Sequence, residues 1–411
     1  MTRVIGALLL ALGLLSIQAV AQAQPPPPLF LQGPVVAFGT AALDRIVLYD
    51  VGVEGGARRE LSFGSGWHYV WGFSPDGCRL LYTLSDGINP ARLYSARLDG
   101  TDPREMVAYS GSEWWGVWEP VWSSGDLIAF TMQRYTLEAD GTLERQYHTA
   151  WVDAAAVMQQ GAPAEAQFYS RTGDEHNPQW SPDGRWLAYI SFERRWPGAD
   201  SSSTAEPTPL PPPGTTPPPF NAELLLREAD LWVVSADGQT KYRLTYFDTG
   251  SVRAPRWSPD SQLIGFTYAP SANNDQFWLI ANQAGAIPTQ LSRVWSLVLD
   301  TTWLPDSSAM LAAVRDFRDT QANRLWLIPL VGLAEDSATL YLGGTQIPLE
   351  YADYPRFSAD GRWLALRSAY SLQVIDTQTL AWVDADAGQP GNTPPVWTPA
   401  GFGGETACLA R

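Results

Sequence analysis

The chain has 411 residues, of which 45% are apolar and 12% aromatic, enough to build a large core without metals or a disulfide framework. The 43 Asp and Glu outweigh the 27 Lys and Arg, and the net charge of −16 argues against nucleic acid and anionic membrane surfaces as partners, because both need a basic footprint. The 35 Gly and 33 Pro are typical of many short strands joined by turns.

The first 23 residues predict a signal peptide rather than part of the fold. Arg3 precedes an apolar run over residues 4–17, and two small-x-small cleavage patterns follow it. We expect cleavage after Ala21 or Ala23; an uncleaved anchor is the alternative, although the run is short for a full span. A Pro-rich spacer follows at residues 24–32, and no later stretch is apolar enough to span a membrane. The protein is therefore expected to be exported, and to be periplasmic, cell-envelope-associated or secreted.

A hairpin motif recurs along the rest of the chain. Its best-preserved copy is Trp-Ser-Pro-Asp-Gly-Arg-Trp-Leu-Ala-Tyr at residues 180–189, where Pro182 and the Asp183-Gly184 pair have the backbone preferences of a tight turn. Six relatives begin with an aromatic residue, at Phe73, Trp122, Trp257, Trp303, Phe357 and Trp397. Successive copies lie 40 to 77 residues apart, which is enough for four short strands each.

These repeats predict an all-β, seven-bladed β-propeller over residues 33–411. Residues 35–63 contain three strands without the motif, and the C-terminus has the motif and one further strand, so one blade is expected to take strands from both ends of the chain. A six-bladed ring is the alternative if residues 113–171, where the motif lacks Pro-Asp-Gly, form no blade. The 77-residue interval contains a Pro-rich loop insertion at residues 197–222.

The two cysteines, Cys78 and Cys408, are expected in adjacent blades near the point of closure. A disulfide between them would staple the ring and would fit an exported protein. Two unpaired, partly buried thiols are the alternative, because disulfide geometry is strict.

The repeated Trp-Ser-Pro-Asp-Gly-Arg-x-Leu-Ala-Tyr resembles the TolB-type β-propeller repeat, and a proline often stands two residues before it, as at Pro120, Pro178, Pro255 and Pro355. The resemblance covers about residues 33–411 and implies the fold. It does not imply a function, because the repeat occurs both in TolB and in the propellers of prolyl-oligopeptidase-type peptidases. We expect neither the α/β domain that precedes the propeller in TolB nor a peptidase domain.

The sequence contains no catalytic or cofactor motif. It has no Gly-x-Ser-x-Gly elbow, no calcium loop and no phosphate-binding or dinucleotide fingerprint. The three histidines, His68, His148 and His176, lie far apart without metal-ligand spacing. We therefore expect no metal, no cofactor and no enzymatic activity.

Most tryptophans of the repeats occupy equivalent positions and are expected to pack between blades. A second group lies outside those positions, in the segments that lead into two adjacent blades: Trp67, Trp71, Trp114, Trp115 and Trp118. This group forms either an exposed aromatic binding surface or local packing under loops.

The segments that lead into each motif are expected to reach the mouth of the central channel, where loops converge. They differ in charge from repeat to repeat, and they contain the predicted ligand-binding residues His68, Glu119, Glu175, His176, Asn177, Arg253, Asp300, Asp353 and Tyr354. The main hypothesis is that a protein, peptide or glycan binds there. The alternative is a hydrolase or lyase acting on a glycan or peptide through Glu119, Asp300 and Asp353, since acid–base catalysis needs two carboxyl groups.

Overall fold

The computed structural model describes most of the chain. The described residues are 30–87, 91–108, 114–137, 143–169, 174–194, 227–247, 249–271, 274–292, 295, 297–315, 323–330, 338–342, 351–368, 371–386 and 393–409. The predicted signal peptide 1–23, residues 24–29 of the spacer and the Pro-rich insertion 197–222 lie outside them.

The regular secondary structure of the described residues is almost entirely β-strand, as predicted. The first part contains β1 Val35–Gly39, β2 Ile46–Asp50, β3 Ala57–Leu61, β4 Trp67–Phe73, β5 Arg79–Ser85, β6 Arg92–Arg97, β7 Arg104–Glu105, β8 Val107–Ala108, β9 Trp114–Trp122, β10 Leu127–Leu137, β11 Leu143–Asp153, helix α1 Ala154–Gln160, β12 Ala164–Glu165 and β13 Gln167–Phe168. The second part contains β14 Asp174–Trp180, β15 Trp186–Arg194, β16 Arg227–Ser235, β17 Lys241–Arg243, β18 Ser251–Trp257, β19 Leu263–Ala269, β20 Gln276–Ala281, β21 Thr289–Gln290, β22 Leu297–Trp303, β23 Ala309–Arg315, β24 Asn323–Pro329, β25 Thr339–Leu340, β26 Asp353–Phe357, β27 Trp363–Arg367, β28 Leu372–Asp376, β29 Trp382–Asp386, β30 Val396–Trp397 and helix α2 Glu405–Leu409. Neither helix of this described part is long or apolar enough to cross a membrane.

Within the described residues, the strands form a β-propeller with five separate four-stranded blades, so the predicted count of seven blades, like the alternative of six, is wrong. The five blades are β3-β2-β1-β30, β4-β5-β6-β7, β13-β11-β10-β9, β22-β23-β24-β25 and β26-β27-β28-β29. Strands β14 to β21, which the repeats assigned to two further blades, instead form one eight-stranded sheet. The sheet is continuous because Ala229 on β16 pairs in parallel with Ser251 on β18. The hairpin motif specifies local turns, and it carries no signal for such a lateral link between neighbouring repeats.

Both ends of the chain contribute to the first blade. β30 pairs antiparallel with β1, and the hydroxyl of Thr398 accepts a hydrogen bond from Val35 N–H (3.1 Å). The predicted disulfide is present: Cys78 and Cys408 are bonded, with Cα atoms 5.4 Å apart and a sequence separation of 330 residues. The strand pairing therefore holds the C-terminal segment to β1, and the disulfide links it to the hairpin between β4 and β5.

In four of the seven motif copies, the serine and aspartate of the motif close the hairpin with side-chain hydrogen bonds. In the best-preserved copy, Ser181 Oγ donates to Asp183 Oδ1 (2.6 Å) and accepts from Trp186 N–H (3.0 Å). The same aspartate oxygen accepts from Arg185 N–H (3.1 Å), and Gly184 has φ of 70°, a conformation that favours glycine. Equivalent serine-to-aspartate bonds form at Ser74, Ser258 and Ser358. The motif is therefore a turn signature.

The repeated tryptophans link neighbouring repeats. The indole Nε1 of Trp257 donates to the carbonyl of Gln179 (2.8 Å), and that of Trp303 donates to the carbonyl of Arg256 (2.9 Å). Trp397 makes the same kind of bond to the repeat before it (2.9 Å). The rings of Trp257 and Trp303 are buried in clusters that span adjacent strands, which is the packing predicted for this position.

The innermost strands, β4, β9, β14, β18, β22, β26 and β30, surround the axis of the propeller. All but β30 contain a register shift of the β-bulge kind. In four of them a non-glycine residue with φ between 49° and 55° lies at the bulge and precedes a proline: Glu119, Asn177, Ala254 and Tyr354. The bulge divides each of these six strands into a lead-in half before it and a motif half after it.

Candidate functional site

A cavity of about 720 Å³ lies on the axis of the propeller, and residues of all the innermost strands line it. Its apolar wall consists mainly of aromatic rings and prolines: Trp71, Pro182, Trp257, Pro259, Trp303, Pro305 and Phe357. Its charged lining residues are Glu119, Arg256 and Arg356. Its volume is within the range of roughly 300–1,000 Å³ that small-molecule sites occupy.

Two of the nine predicted site residues, Glu119 and Asn177, line this cavity at adjacent bulges. Glu119 Oε2 accepts hydrogen bonds from Asn177 N–H (2.8 Å) and from the hydroxyl of Thr131 (3.1 Å). The carboxylate on β9 therefore holds the backbone of β14 at its bulge.

Asp300 lies behind the cavity wall, 4% exposed, between two arginines that line the cavity. Its Oδ1 is 3.0 Å from Arg256 Nη2 on β18, and its Oδ2 is 2.6 Å from Arg356 Nη2 on β26. Burial would raise the pKa of Asp300, but the two guanidinium groups outweigh burial and hold that pKa below its usual range. Burial also lowers the pKa of the Arg356 guanidinium. A carboxylate that stays ionised in this way is poorly suited to donate a proton.

Asp353 and Tyr354 lie at the lead-in half of β26. Asp353 accepts hydrogen bonds from Asn323 Nδ2 (2.6 Å) and from Arg367 Nη2 (2.7 Å). The guanidinium of Arg367 also lies 4.9 Å from the ring centre of Tyr354, and burial raises the pKa of the tyrosine. Asp353, Tyr354 and Arg367 form an ion-paired cluster within one blade, and Asn323 reaches it from β24 of the neighbouring blade. Neither Asp353 nor Tyr354 lines the cavity.

Arg253 and Glu175 are also engaged in ion pairs. Arg253 on β18 pairs with Asp275, which is buried. Glu175, 2% exposed, accepts a hydrogen bond from Thr149 N–H (3.0 Å) and lies 3.7 Å from Lys241 Nζ. Neither predicted residue lines the cavity.

His68 is completely buried and its ring is held by backbone groups. Its Nε2 accepts a hydrogen bond from Phe63 N–H (3.0 Å), so Nδ1 carries the proton and donates to the carbonyl of Gly66 (3.0 Å). This histidine has a packing role. The structure thus brings Glu119 and Asn177 to the cavity, and Asp300 to its arginines, while the other six predicted residues lie elsewhere.

His176 belongs to an aromatic band that runs across three successive repeats and is defined by Tyr69, Trp71, Trp118, Tyr147 and His176. Tyr147 lies on β11, and the other four residues lie on the innermost strands β4, β9 and β14. The ring centre of Tyr69 is 6.5 Å from that of Trp71 and 6.4 Å from that of Trp118, and Tyr147 is 4.3 Å from His176.

Gln133 connects the Tyr69, Trp71 and Trp118 part of the band with the Tyr147 and His176 part. Its Oε1 accepts from Trp118 Nε1 (2.7 Å), and its Nε2 donates to the hydroxyl of Tyr147 (3.1 Å). The band is therefore a connected surface with polar groups between its rings.

Two tryptophans of the predicted aromatic surface are exposed: Trp118 by 37% and Trp67, on the same strand as Tyr69, by 49%. Trp71 is half-buried, and its Nε1 donates to the hydroxyl of Thr83 (2.9 Å). The side chains of Trp114 and Trp115 lie outside the described residues.

The sequence prediction did not include Arg256 and Arg356, although both line the cavity. Each directly precedes the motif aromatic residue in a Pro-Arg-aromatic triplet, at residues 255–257 and 355–357. Two other repeats have valine and glutamine at this position. The shared triplet was an available signal for these residues. In the described part of the chain, no group of three or more His, Cys, Asp or Glu could hold a metal ion.

No family model matches the chain. An uncharacterised protein of Agrobacterium fabrum is 24% identical over 147 residues, which are 35% of this chain and 47% of that protein. The chain thus spans about half the length of the curated relative it matches.

Several solved structures share the fold. An oligogalacturonate lyase in complex with manganese is 15% identical, with a TM-score of 0.50 over 79% of each chain. The dihydro-heme d1 dehydrogenase NirN is 13% identical, with a TM-score of 0.51 over 93% of this chain and 78% of that one. TolB from Acinetobacter baumannii is 15% identical, with a TM-score of 0.43 over 89% of this chain and 83% of that one. At these identities the likeness concerns the fold alone, and it agrees with the β-propeller that the strands form.

Proposed function

We propose that the protein is an exported, non-enzymatic propeller that binds a protein, peptide or glycan on the aromatic band and the lead-in halves around it. The observation that carries the proposal is the exposure of two indole rings, Trp67 and Trp118, the second of which is hydrogen-bonded to Gln133. Exposed aromatic rings provide a large contact area, and neighbouring polar groups orient what lies on them.

The hydrogen bonds within the band support a preorganised binding surface. Trp118 is held through its Nε1 by Gln133, and Gln133 in turn donates to Tyr147. Because the indole is already fixed, less side-chain freedom is lost when a ligand covers it. The hydroxyl of Tyr147 accepts the bond from Gln133, so its own hydrogen remains for a ligand oxygen.

The carboxylates favour binding over the hydrolase or lyase alternative. Glycoside hydrolysis by acid–base chemistry uses two facing carboxyl groups. Glu119 is the single carboxylate among the described lining residues of the cavity, and its Oε2 is occupied by Asn177 and Thr131. Asp300 and Asp353 are ion-paired with arginines.

Export is part of the proposal, and the Cys78–Cys408 disulfide supports it because disulfides persist in oxidising compartments. Fractionation of the producing cell, followed by N-terminal sequencing, tests this location. We expect an oxidised protein beginning after Ala21 or Ala23 in the periplasm, envelope or medium. A full-length, reduced protein in the cytoplasm would contradict it.

The test of binding is a screen of the purified protein on a glycan array and a peptide library, followed by fluorescence titration of the hits. Trp118→Ala should weaken binding by about tenfold or more, because hot-spot aromatic residues contribute 2 kcal/mol or more. The matched control is Trp382→Ala, since Trp382 is 40% exposed on β29, outside the band. Equal affinity of wild type and Trp118→Ala for every hit would remove the proposal. Turnover of a hit that Glu119→Gln or Asp300→Asn abolishes would establish the enzyme alternative.

A further inference from the structure

Two arginines line the axial cavity, yet they share one carboxylate. Arg256 comes from β18 and Arg356 from β26, and Asp300 on the strand between them contacts both. The two arginine side chains are 22% and 20% exposed, so each guanidinium is largely withdrawn from water while it still reaches the cavity wall. The other charged lining residue, Glu119, belongs to β9, which does not neighbour these strands around the ring.

The two guanidinium groups are held in place with donors to spare. Arg356 Nη1 donates to the carbonyl of Pro355 (2.7 Å), and Arg256 Nη1 donates to the carbonyl of Pro255 (3.2 Å). An arginine carries five N–H donors, so these bonds and the pairs with Asp300 leave donors on each guanidinium for another acceptor. One negative charge beside two positive charges leaves an excess of one positive charge on this side of the cavity.

The surroundings strengthen the attraction of this excess charge for an anion. Trp257, Trp303 and Phe357 form the adjoining wall together with prolines, and such a wall screens charge less than water does. Planar guanidinium groups match carboxylate and phosphate oxygens with two parallel hydrogen bonds. The rest of the protein is strongly acidic, with a net charge of −16, so unspecific attraction of anions to its surface is weak.

We propose that the axial cavity binds the carboxylate or phosphate group of a small anionic ligand between Arg256 and Arg356, and that Asp300 is a positioning residue for both arginines. This site lies mainly in the motif halves; it shares Trp71 with the aromatic band, whereas Trp118 and His176 do not line it. Its ligand is a second one beyond the function proposed for the band.

The test uses the mature protein at low ionic strength, with inorganic phosphate and citrate as probes and glycerol as the neutral control. Binding is followed by the fluorescence of the cavity tryptophans. We expect saturable binding of at least one anion, weakened by added salt, and no response to glycerol. Arg256→Gln and Arg356→Gln should each weaken binding by about tenfold or more, because a hydrogen bond to a charged group contributes roughly 1.5–3 kcal/mol, or about 10- to 100-fold. Arg185→Gln is the matched control, since Arg185 is an exposed arginine on a hairpin turn outside the cavity.

Folding is controlled by a second variant, because Arg356→Gln leaves Asp300 with one partner. The pair Arg356→Gln with Asp300→Asn removes one charge of each sign and should fold while still binding anions more weakly. Asp300→Asn alone separates positioning from net charge: weaker binding supports the positioning role, and tighter binding overturns it. The relative affinities for phosphate and citrate indicate which anionic group the site prefers. Absence of saturable binding for both anions, or wild-type affinity in both arginine variants, would overturn the proposed anion site. Loss of ligand binding on the aromatic band in Trp118→Ala would bear on the proposed function and not on the anion site.

Discussion

Carboxylates around the axis are held by partners on neighbouring strands of the ring. Glu119 accepts from the backbone at Asn177, and Asp300 bridges Arg256 and Arg356. The charge variation in the lead-in segments predicts a binding surface free of packing demands. In the structure much of that variation consists of complementary pairs between repeats, which individual repeats cannot reveal because each partner lies 44 to 58 residues away in sequence.

Asp300→Asn is expected to destabilise the fold at neutral pH and to do so less at low pH. The variant leaves two guanidinium groups without their shared carboxylate, and breaking a buried ion pair costs roughly 3–5 kcal/mol. Because the pKa of Asp300 is lowered in the folded protein, its stabilisation is present above the unfolded pKa of about 3.9 and is lost as the pH falls through the folded value. Urea unfolding of both proteins at pH 7 and near pH 3 measures the difference.

The control for this prediction is Glu54→Gln, an exposed carboxylate in the turn after β2. It should change the free energy of unfolding by less than about 0.5 kcal/mol at either pH, as surface substitutions usually do. A stability difference between Asp300→Asn and wild type that stays constant from pH 7 to pH 3 would contradict the linkage.

The hairpins are the elements that the sequence predicts best. Proline, aspartate and glycine at fixed spacing have local conformational preferences, and the serine that closes the turn lies within the same motif. The bulges of the innermost strands are different, because a left-handed Glu119 or Tyr354 is held there by its surroundings rather than by its own preference. A proline follows four of the bulges and belongs to the repeat, but nothing local indicates the register shift.

Gly184→Ala should destabilise the protein by roughly 1–2 kcal/mol, because a left-handed residue with a side chain costs about that much. The added Cβ would also lie 2.5 Å from Ser124 Oγ. The converse change is Asp126→Gly at the equivalent turn position, where φ is 62° and the side chain is exposed. It should be neutral or stabilise by up to about 1 kcal/mol, less the added entropy of the unfolded chain. Urea unfolding tests both, and equal stability of Gly184→Ala and wild type would show that the turn tolerates a side chain.

The propeller as a whole could be predicted in its class and in its closure, but not in its blade count. Periodic motifs and complementary chain ends were enough for an all-β propeller with β30 beside β1. The count failed because the pairing of Ala229 with Ser251 merges two repeats into one sheet, and such lateral pairing has no periodic signal. The cavity arginines were missed for a related reason, since their common partner Asp300 lies on a third strand.

The closure of the ring depends on several contacts at the chain ends. Glu405 on α2 lies three residues before Cys408. It accepts a hydrogen bond from Leu31 N–H (3.0 Å) and forms an ion pair with Arg59 (2.6 Å). The Cys78–Cys408 bond then closes a loop that contains most of the protein. A crosslink over so long a loop removes much conformational freedom from the unfolded chain, because loop-closure entropy rises with loop length.

The double variant Cys78→Ser, Cys408→Ser is expected to remain folded at room temperature and to lose roughly 3–5 kcal/mol of unfolding free energy. The noncovalent contacts of Glu405 and the pairing of β30 with β1 still hold the closed ring, which is why we expect destabilisation rather than unfolding. Thermal and urea unfolding of wild type, with and without a reducing agent, give the comparison. Reduction should lower the stability of wild type to that of the double variant and leave the variant unchanged. If reduced and oxidised wild type unfold at the same urea concentration, closure rests on the strand and ion pairs alone.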